Sequence, residues 1–215
     1  MMIRLPSPIN LILDGIESGG FMLIEYNSLS EIEFLSIDML KIEHVILIEI
    51  GDKLHIKIPA LLKFMNRSLK VIIISISSFP LEIPNFEVIN IPLDDLTKIL
   101  SKIYSFLKDG YKDWIIVLSS IDQVMLYLDV REFLRELARL TKALPNLTII
   151  GFLNYDVVDK MTLSLLESIS TTVVRAEGRI DFGMKRIRRF IYVVKSVNPH
   201  KKEMVEYEIR DTKAR

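Results

Sequence analysis

The stretch GIESGGFMLIEYNSLSEIEFLSIDMLK, residues 15–41, decides the fold, because it passes from a glycine-rich turn to an apolar strand, a polar loop and a helix. Its segment FMLIEY (21–26) is an apolar run of strand length. The apolar residues of 29–42 recur with a period near 3.6 and predict a helix with one buried stripe. A loop between such a strand and such a helix is the usual position of a phosphate-binding loop.

Apolar, β-branched runs of strand length recur through the rest of the chain, and two further stretches have helical periodicity. Runs of this kind are typical of strands buried on both faces, as in a parallel sheet. Strands that alternate with helices predict an α/β fold with a largely parallel sheet flanked by helices. The predicted strands are 44–50, 71–76, 86–91, 114–119 and 147–153, and the predicted helices are 93–108 and 130–144.

The end of the chain predicts antiparallel strands, because three apolar segments follow one another with only short turns between them. These segments are TTVVRAE (171–177), RRFIYVVKSV (188–197) and EMVEYEI (203–209), joined by GRIDFG and NPHKK. Strict alternation in the second segment places Lys195 on the same side as Ile191 and Val193. No linker-like tract interrupts the sequence, so a single domain over 1–215 is expected.

Composition excludes several classes of site. The chain has 215 residues, no cysteine and three scattered histidines, so neither a disulfide framework nor a metal site is expected. No secretory signal and no run of about 18 apolar residues is present, which makes a cytoplasmic location the expectation. The 32 isoleucines and single glutamine are typical of proteins from hot environments.

Charge is unevenly placed although the formal net charge is zero. Residues 1–174 carry 16 Lys+Arg against 22 Asp+Glu, and residues 175–215 carry 12 against 6. The body is therefore −6 and the terminal segment +6. Such an asymmetry can steer an acidic partner toward one end of the molecule.

The order of these segments resembles the RecA/KaiC superfamily, and within it an archaeal-type paralogue of the recombinases. The resemblance covers nearly the whole chain and implies one RecA-like core domain over 1–215. Its most specific part is the ending, where family members show a strand with a lysine, then a histidine and a final Tyr-x-Ile strand. The segments that carry it are GIESGG, FMLIE, DWIIVLSSID, REFLRELARLTKAL, LTIIGFLN and RRFIYVVKSVNPHKKEMVEYEI.

The family's nucleotide motif G-x-x-x-x-G-K-[ST] falls on positions that have all changed. Its two glycines fall on Tyr26 and Glu31, its lysine on Ile32 and its hydroxyl residue on Glu33. The loop needs glycines to turn backbone N–H groups toward the phosphates, a lysine for the phosphate oxygens and a hydroxyl for magnesium. The resemblance therefore implies a chain without a nucleotide cofactor and without ATPase activity.

The same residues have a structural interpretation. Ser28 with Glu31, and Ser30 with Glu33, have the spacing of capping boxes, which satisfy the N–H groups at the start of a helix. Acidic residues there also complement the positive end of the helix dipole. An altered ligand site is the alternative.

The other half of an ATPase site is also changed. The aspartate that would end the mid-chain strand falls on Leu118 or Ser119. Asp122 is interpreted as a helix N-cap, with a displaced metal ligand as the alternative. The family's pair of catalytic acids falls on Gly51 and Asp52, a dipeptide that is also typical of a surface turn.

The terminal strands carry the remaining candidates. Lys195 and His200 match the family's sensor lysine and histidine, and Val197 replaces its arginine. The alternative is that Lys195 and His200 are ordinary solvated residues beside a turn that contains a proline. The sequence leaves three functions open. The first is an inactive regulatory or scaffolding subunit that oligomerises with RecA/KaiC-type subunits. The others are a nucleic-acid-binding protein of DNA repair or of an RNA-binding ring, and an enzyme with an unrecognised site. The basic cluster, which is alternatively a solvated turn, contains Lys185, Arg186, Arg188, Arg189, Lys195, Lys201 and Lys202 beside His200.

Overall fold

A computed structural model describes most of the chain in separate ranges. These are residues 19–30, 32, 44–50, 71–77, 80–83, 86–92, 103–105, 107–108, 114–126, 129–196 and 204–207. The predicted helix over 29–42 falls almost entirely outside them. The same is true of Glu31, Glu33, Gly51, Asp52, Val197, His200, Lys201 and Lys202.

Nine strands of the described ranges form one mixed sheet in the order β4-β3-β2-β5-β6-β1-β7-β8-β9. All pairs from β4 to β7 are parallel, and β7–β8 and β8–β9 are antiparallel. The predicted fold class is therefore confirmed, including its antiparallel end. The strands are β1 (Gly20–Tyr26), β2 (Val45–Ile50), β3 (Val71–Ser77), β4 (Glu87–Pro92), β5 (Ile115–Leu118), β6 (Thr148–Asn154), β7 (Thr172–Asp181), β8 (Arg186–Ser196) and β9 (Met204–Tyr207).

Three helices within the described ranges are α1 (Ile121–Val124), α2 (Val130–Ala143) and α3 (Lys160–Ile169). Residues 103–105 and 107–108 are also helical, and a 3-10 turn spans Tyr155–Val157. The prediction for 130–144 is confirmed by α2, which begins where Asp129 accepts hydrogen bonds from two backbone N–H groups and buries the stripe Phe133, Leu137 and Leu140.

The two faces of the sheet bury different apolar groups, because side chains alternate along every strand. Phe21 and Leu23 share the first face with buried residues of α1, α2 and α3. Met22, Ile24 and Tyr26 lie on the second face with Ile32, Leu81 and Ile83. A parallel sheet that is buried on both sides leaves its strand ends as the place for polar chemistry.

The terminal hairpin differs from prediction in two respects. GRIDFG was expected to be the turn, but β7 continues through Asp181 and the turn covers residues 182–185. Lys195 pairs with Val173 while Val193 pairs with Val174, so a β-bulge inserts Val194. The extra residue moves Lys195 to the first face, and the predicted alternation is wrong at that point.

Candidate functional site

The candidate site lies at the carboxyl ends of the parallel strands, where ligands of α/β proteins usually bind. The loop that follows β1, described as residues 27–30 and residue 32, occupies the position of a phosphate-binding loop. Of its four motif positions, the structure describes Tyr26 and Ile32. Tyr26 is 2% exposed and Ile32 is 1% exposed, and both belong to the core of the second face. The position that the motif gives to lysine therefore holds a side chain that points into the core.

Asn27 fixes the start of this loop to β7. Its side-chain amide donates to the carbonyl of Gly178 at 2.9 Å, and its Oδ1 accepts from the N–H of Gly178 at 2.8 Å. A Cβ at residue 178 would overlap the backbone of Leu29, so only glycine allows the loop to lie this close to β7. The described start of the loop thus packs closely against β7.

Ser28 is held by an acidic side chain from the segment after β6. Oδ2 of Asp156 accepts from the backbone N–H of Ser28 at 2.9 Å and from its hydroxyl at 3.1 Å. Asp156 is itself placed by Asn154, whose Oδ1 accepts from the N–H of Asp156 at 3.0 Å. An internal carboxylate therefore takes a backbone N–H of the loop that could otherwise bind an anion.

Ser30 ends the described turn and ties it to the last strand. Its hydroxyl donates to the carbonyl of Asn27 at 2.6 Å, and its own carbonyl accepts from the hydroxyl of Tyr207 at 2.7 Å. The hydroxyls of Ser28 and Ser30 thus donate to Asp156 and to a turn carbonyl. The glutamates of the predicted capping boxes lie outside the described residues, so those boxes stay a prediction.

Asp156 was missed by sequence reasoning, which sought the compensating negative charge at Glu31 and Glu33. The sequence feature that could have indicated it is short, namely the Asn-x-Asp of NYD at the end of an apolar strand. In that spacing the first side chain accepts from a backbone N–H two residues on, which forms an Asx turn and aims the second carboxylate. What a single sequence lacks is the adjacency of β1 and β6 in the sheet.

The end of β5 holds no carboxylate at the expected positions. Leu118 is a core residue of the first face, and the hydroxyl of Ser119 donates to the carboxylate of Glu49 on β2. Glu49 is 2% exposed and was also missed. Its signal is a single acid in the aliphatic strand VILIEI, two residues before the predicted acid position Gly51.

Asp122 is not the helix N-cap that was predicted. Ser120 holds that position, and Asp122 is the second residue of α1. Its carboxylate is 7% exposed and makes two long contacts, at 3.5 Å from the N–H of Asn154 and at 3.4 Å from the amide of Gln123. The helix starts earlier than expected because only Ser119 and Ser120 separate it from β5.

A third buried acid, Glu25, lies on β1 next to the loop. Arg175 of β7 reaches its Oε2 at 2.6 Å and also contacts Glu167 of α3 at 3.1 Å. The Oε1 of Glu25 is buried and has no hydrogen-bond partner. Burial raises the pKa of Glu25 from 4.5 to about 7, and Arg175 opposes that rise while Glu167 adds to it.

Tyr155 covers this ion-pair cluster from the segment after β6. The guanidinium of Arg175 lies 5.6 Å from the centre of its ring, a cation–π distance. Burial, followed by the nearby Glu177, raises the pKa of Tyr155 to about 12. The hydroxyl therefore stays neutral at physiological pH.

The members of the predicted basic cluster that the structure describes do not form one patch. Lys195 donates to the carbonyls of Glu167 and Ser168 in the last turn of α3, where a cation complements the helix dipole. It lies about 30 Å along β8 from Arg186 at the other end. Arg188 makes a bidentate pair with Glu206 at 2.8 Å, and Arg189 lies on the opposite face, across from Gly178. Lys185 and Arg186 lie at the exposed turn.

Within the described ranges, no three His, Asp or Glu side chains are grouped so as to hold a metal ion. None of the helices found there has the length and apolarity needed to cross a bilayer.

We expect Gly178→Ala to lower the free energy of unfolding by about 1–3 kcal/mol, because the new Cβ would overlap the backbone of Leu29. Gly183→Ala is the matched control, since its Cβ would meet nothing nearer than Asp181 Oδ1 at 3.4 Å. Denaturant unfolding of both variants measures the difference. Equal midpoints for the two would contradict the close approach of loop and strand.

Asp156→Ala should free the loop without unfolding the sheet. We expect the amide of Ser28 to exchange its hydrogen faster by a factor of about 3–10, as for loss of a net hydrogen bond of roughly 1 kcal/mol. Asp181→Ala serves as the control, because that aspartate accepts from the N–H of Met184 in the hairpin turn. Unchanged exchange at Ser28 in the Asp156 variant would rule out the anchor.

Glu25 should make stability fall as pH rises. Its folded pKa of about 7 exceeds the ordinary 4.5, so the folded chain holds a proton that the unfolded chain has lost between those values. We expect the free energy of unfolding to drop by about 1–3 kcal/mol from pH 5 to pH 8, at about 1.4 kcal/mol per pKa unit. Glu25→Gln should remove that part of the pH dependence. An identical pH profile for both chains would refute it.

Comparison with protein-family models gave no match, and comparison with curated proteins gave none either. Among solved structures, the crystal structure of a KaiC-like protein from the hyperthermophilic archaeon Pyrococcus horikoshii is similar, with a TM-score of 0.67. The likeness covers 98% of this chain and 94% of that chain at 15% sequence identity. At that identity it carries the fold and leaves function to the site. The chain therefore has the RecA/KaiC-like α/β fold that its segment order predicts.

Proposed function

We propose that the chain is a catalytically inactive RecA/KaiC-like subunit that regulates or scaffolds other subunits through protein–protein contacts, in the cytoplasm. The observation that carries the proposal is the set of hydrogen bonds that hold the loop after β1 to the rest of the chain. Asn27, Ser28 and Ser30 are each tied to a different part of the same chain, at Gly178, Asp156 and Tyr207.

Phosphate binding in this position needs a backbone N–H group, a lysine and a hydroxyl that all face the ligand. The N–H and the hydroxyl of Ser28 both face Asp156, and Ile32 lies in the core where the lysine would be. A nucleotide phosphate would have to displace the carboxylate of Asp156 or lie beside it. Like charges at that range repel, which supports the absence of a nucleotide cofactor.

Exposed apolar side chains support the protein–protein part of the proposal. Among the described residues, Phe182 is 86% exposed and Leu126 is 70% exposed, and each lies among other exposed apolar residues. Clustered exposed apolar side chains mark interaction sites more often than scattered ones do. The partners that suit a RecA-like core are subunits of the same fold, including an active ATPase.

Nucleic-acid binding is the second candidate, and the exposed Phe182 beside Lys185 and Arg186 favours it. Two arginines of the hairpin weaken it, because Arg179 pairs with Glu177 and Arg188 pairs with Glu206. The variant that combines Lys185→Glu with Arg186→Glu therefore tests nucleic-acid binding without a change in those two ion pairs. Phosphate contacts would make the log of the binding constant fall steeply with the log of salt concentration.

We expect no saturable binding of ATP or GTP with magnesium at nucleotide concentrations up to about 1 mM, the weak end of measurable affinity. Ile32→Lys should not create binding, because the residue points into the core and Asp156 still occupies Ser28. Isothermal calorimetry on both chains measures this, with a nucleotide-binding protein of the same fold as the positive control. Micromolar binding by the unaltered chain would overturn the proposal.

A further inference from the structure

A groove of about 440 Å³ lies at the carboxyl ends of the parallel strands, between α1 and the first turns of α2 and α3. Val130 and Val158 line its interior. Its rim carries Leu126, which is 70% exposed, and Val157, which is 64% exposed. Met161, which lies between the groove residues Asp159 and Thr162 in the first turn of α3, is 63% exposed. A volume in the range of roughly 300–1,000 Å³ accommodates a few large side chains of a partner.

The groove is acidic. Asp122 and Asp159 line it, and Asp159 keeps its charge because Thr162 donates to its carboxylate and lowers its pKa. Asp129 and Glu132 stand at the start of α2, and Asp156 lies between two groove residues in the chain. The cations on the same segments are Arg131, Lys160 and Arg135, the last of which lies 3.9 Å from the carboxylate of Glu132. Carboxylates therefore outnumber cations around this apolar surface.

The hairpin tip, residues 178–189, has the opposite charge and the same apolar character. β1 pairs with β7 only as far as Ala176, so the tip extends past the edge of the parallel sheet. Ile180 and Ile187 pair across it and are 51% and 36% exposed. At the turn, Phe182 is 86% exposed and Met184 is 61% exposed.

Two cations of the tip lie at its exposed turn, and a third, Arg188, ties the tip to β9. Lys185 and Arg186 at the turn make no ion pair with any described carboxylate. The bidentate pair between Arg188 and Glu206 ties the tip to β9, and Phe190 lies within 5.1 Å of the Arg188 guanidinium. A rigid projection loses little conformational entropy when it docks.

We propose that the hairpin tip of one copy of this chain docks into the acidic apolar groove of a second copy, with Phe182 and Met184 entering the groove and Lys185 and Arg186 facing its carboxylates. The inference rests on the proposed function, which it deepens by naming the partner and both surfaces. Aromatic and methionine side chains are enriched at interfaces, and complementary charge fixes their register.

The two surfaces differ, so the contact is head-to-tail. Each copy that uses its hairpin tip keeps a vacant groove, and such heterologous contacts build closed rings or open filaments. A net charge of zero, divided into an acidic body and a basic terminal segment, suits a chain that binds its own copies.

Two variants separate the surfaces. The hairpin variant carries Phe182→Ser, Lys185→Glu and Arg186→Glu, and the groove variant carries Leu126→Lys and Val157→Lys. All five side chains are exposed, so the fold should survive. The control variant carries Ile169→Lys and Val194→Lys. The native side chains are 37% and 40% exposed and lie near the start of β7, at the opposite ends of the strands from the groove.

Sedimentation velocity of the full chain across a concentration series is the readout. We expect the unaltered chain and the control to form dimers and larger species, and each interface variant alone to associate at least about tenfold more weakly. An equimolar mixture of the two variants should form dimers and nothing larger, because the mixture contains only one intact pair of surfaces.

Three results would overturn the inference: an unaltered chain that stays monomeric up to about 1 mM, the weak end of specific affinity; variants that assemble as the unaltered chain does; or a mixture that stays monomeric. The second of these results includes a hairpin variant that loses nucleic-acid binding while its assembly is unchanged. Circular dichroism checks that each variant is folded. Nucleotide titration of the same samples tests the proposed function independently, since a chain that binds nucleotide can still dock through these surfaces.

Discussion

The contact between Asp156 and Ser28 determines what the edge of this sheet can do. β1 and β6 are parallel neighbours with Tyr26 beside Asn154, so the segments that follow them leave the sheet side by side. In a nucleotide-binding protein that position lets backbone N–H groups face an anion from outside. Here the carboxylate that faces Ser28 belongs to the chain itself. The bonds from Asn27 to Gly178 and from Tyr207 to Ser30 hold the same loop from β7 and β9. Four strands therefore converge on a few loop residues.

Two carboxylates are buried in the strands next to this site, and burying a charged group costs free energy of folding. Glu25 and Glu49 are both almost completely buried, each as the one charged residue of its strand. An ion pair taken out of water often contributes less than well-packed apolar residues of the same volume. Arg175 divides its charge between Glu25 and Glu167, which leaves two carboxylates for one guanidinium. The pair nevertheless links β1, β7 and α3, so its energetic cost accompanies a fixed placement of those elements. Such placement is the role that buried ionic groups serve when they are retained.

Most of the strand pattern could be predicted from the sequence, because buried parallel strands are the most strongly biased segments of any chain. The runs 21–26, 71–76 and 147–153 match β1, β3 and β6 to within one residue at each end. The failures have local causes. GRIDFG was assigned to a turn, yet its Gly178 is needed in the strand so that Leu29 can lie against it. Lys195 was assigned to the wrong face because a β-bulge leaves no mark in a run of apolar residues. The acids of the site were missed for a different reason, since Asp156 meets Ser28 across 128 residues of sequence. Only the order of strands in the sheet brings them together.

The position of the loop after β1 and the exposure of the hairpin tip both depend on the same arrangement of strands. β7 is long enough to do two things: up to Gly178 it supports the loop after β1, and beyond it the strand leaves the parallel sheet and pairs only with β8. A side chain at residue 178 would push the loop away, whereas the residues that follow it meet no such neighbour and remain exposed. The polar face of the hairpin is neutralised internally by Arg179 with Glu177 and by Arg188 with Glu206. What is left for other molecules is its turn, with large apolar side chains and two cations. A fold that usually presents its strand ends to a small ligand here also presents a projecting turn, and the proposed self-association depends on that turn because its large apolar side chains and cations face no other part of the described chain.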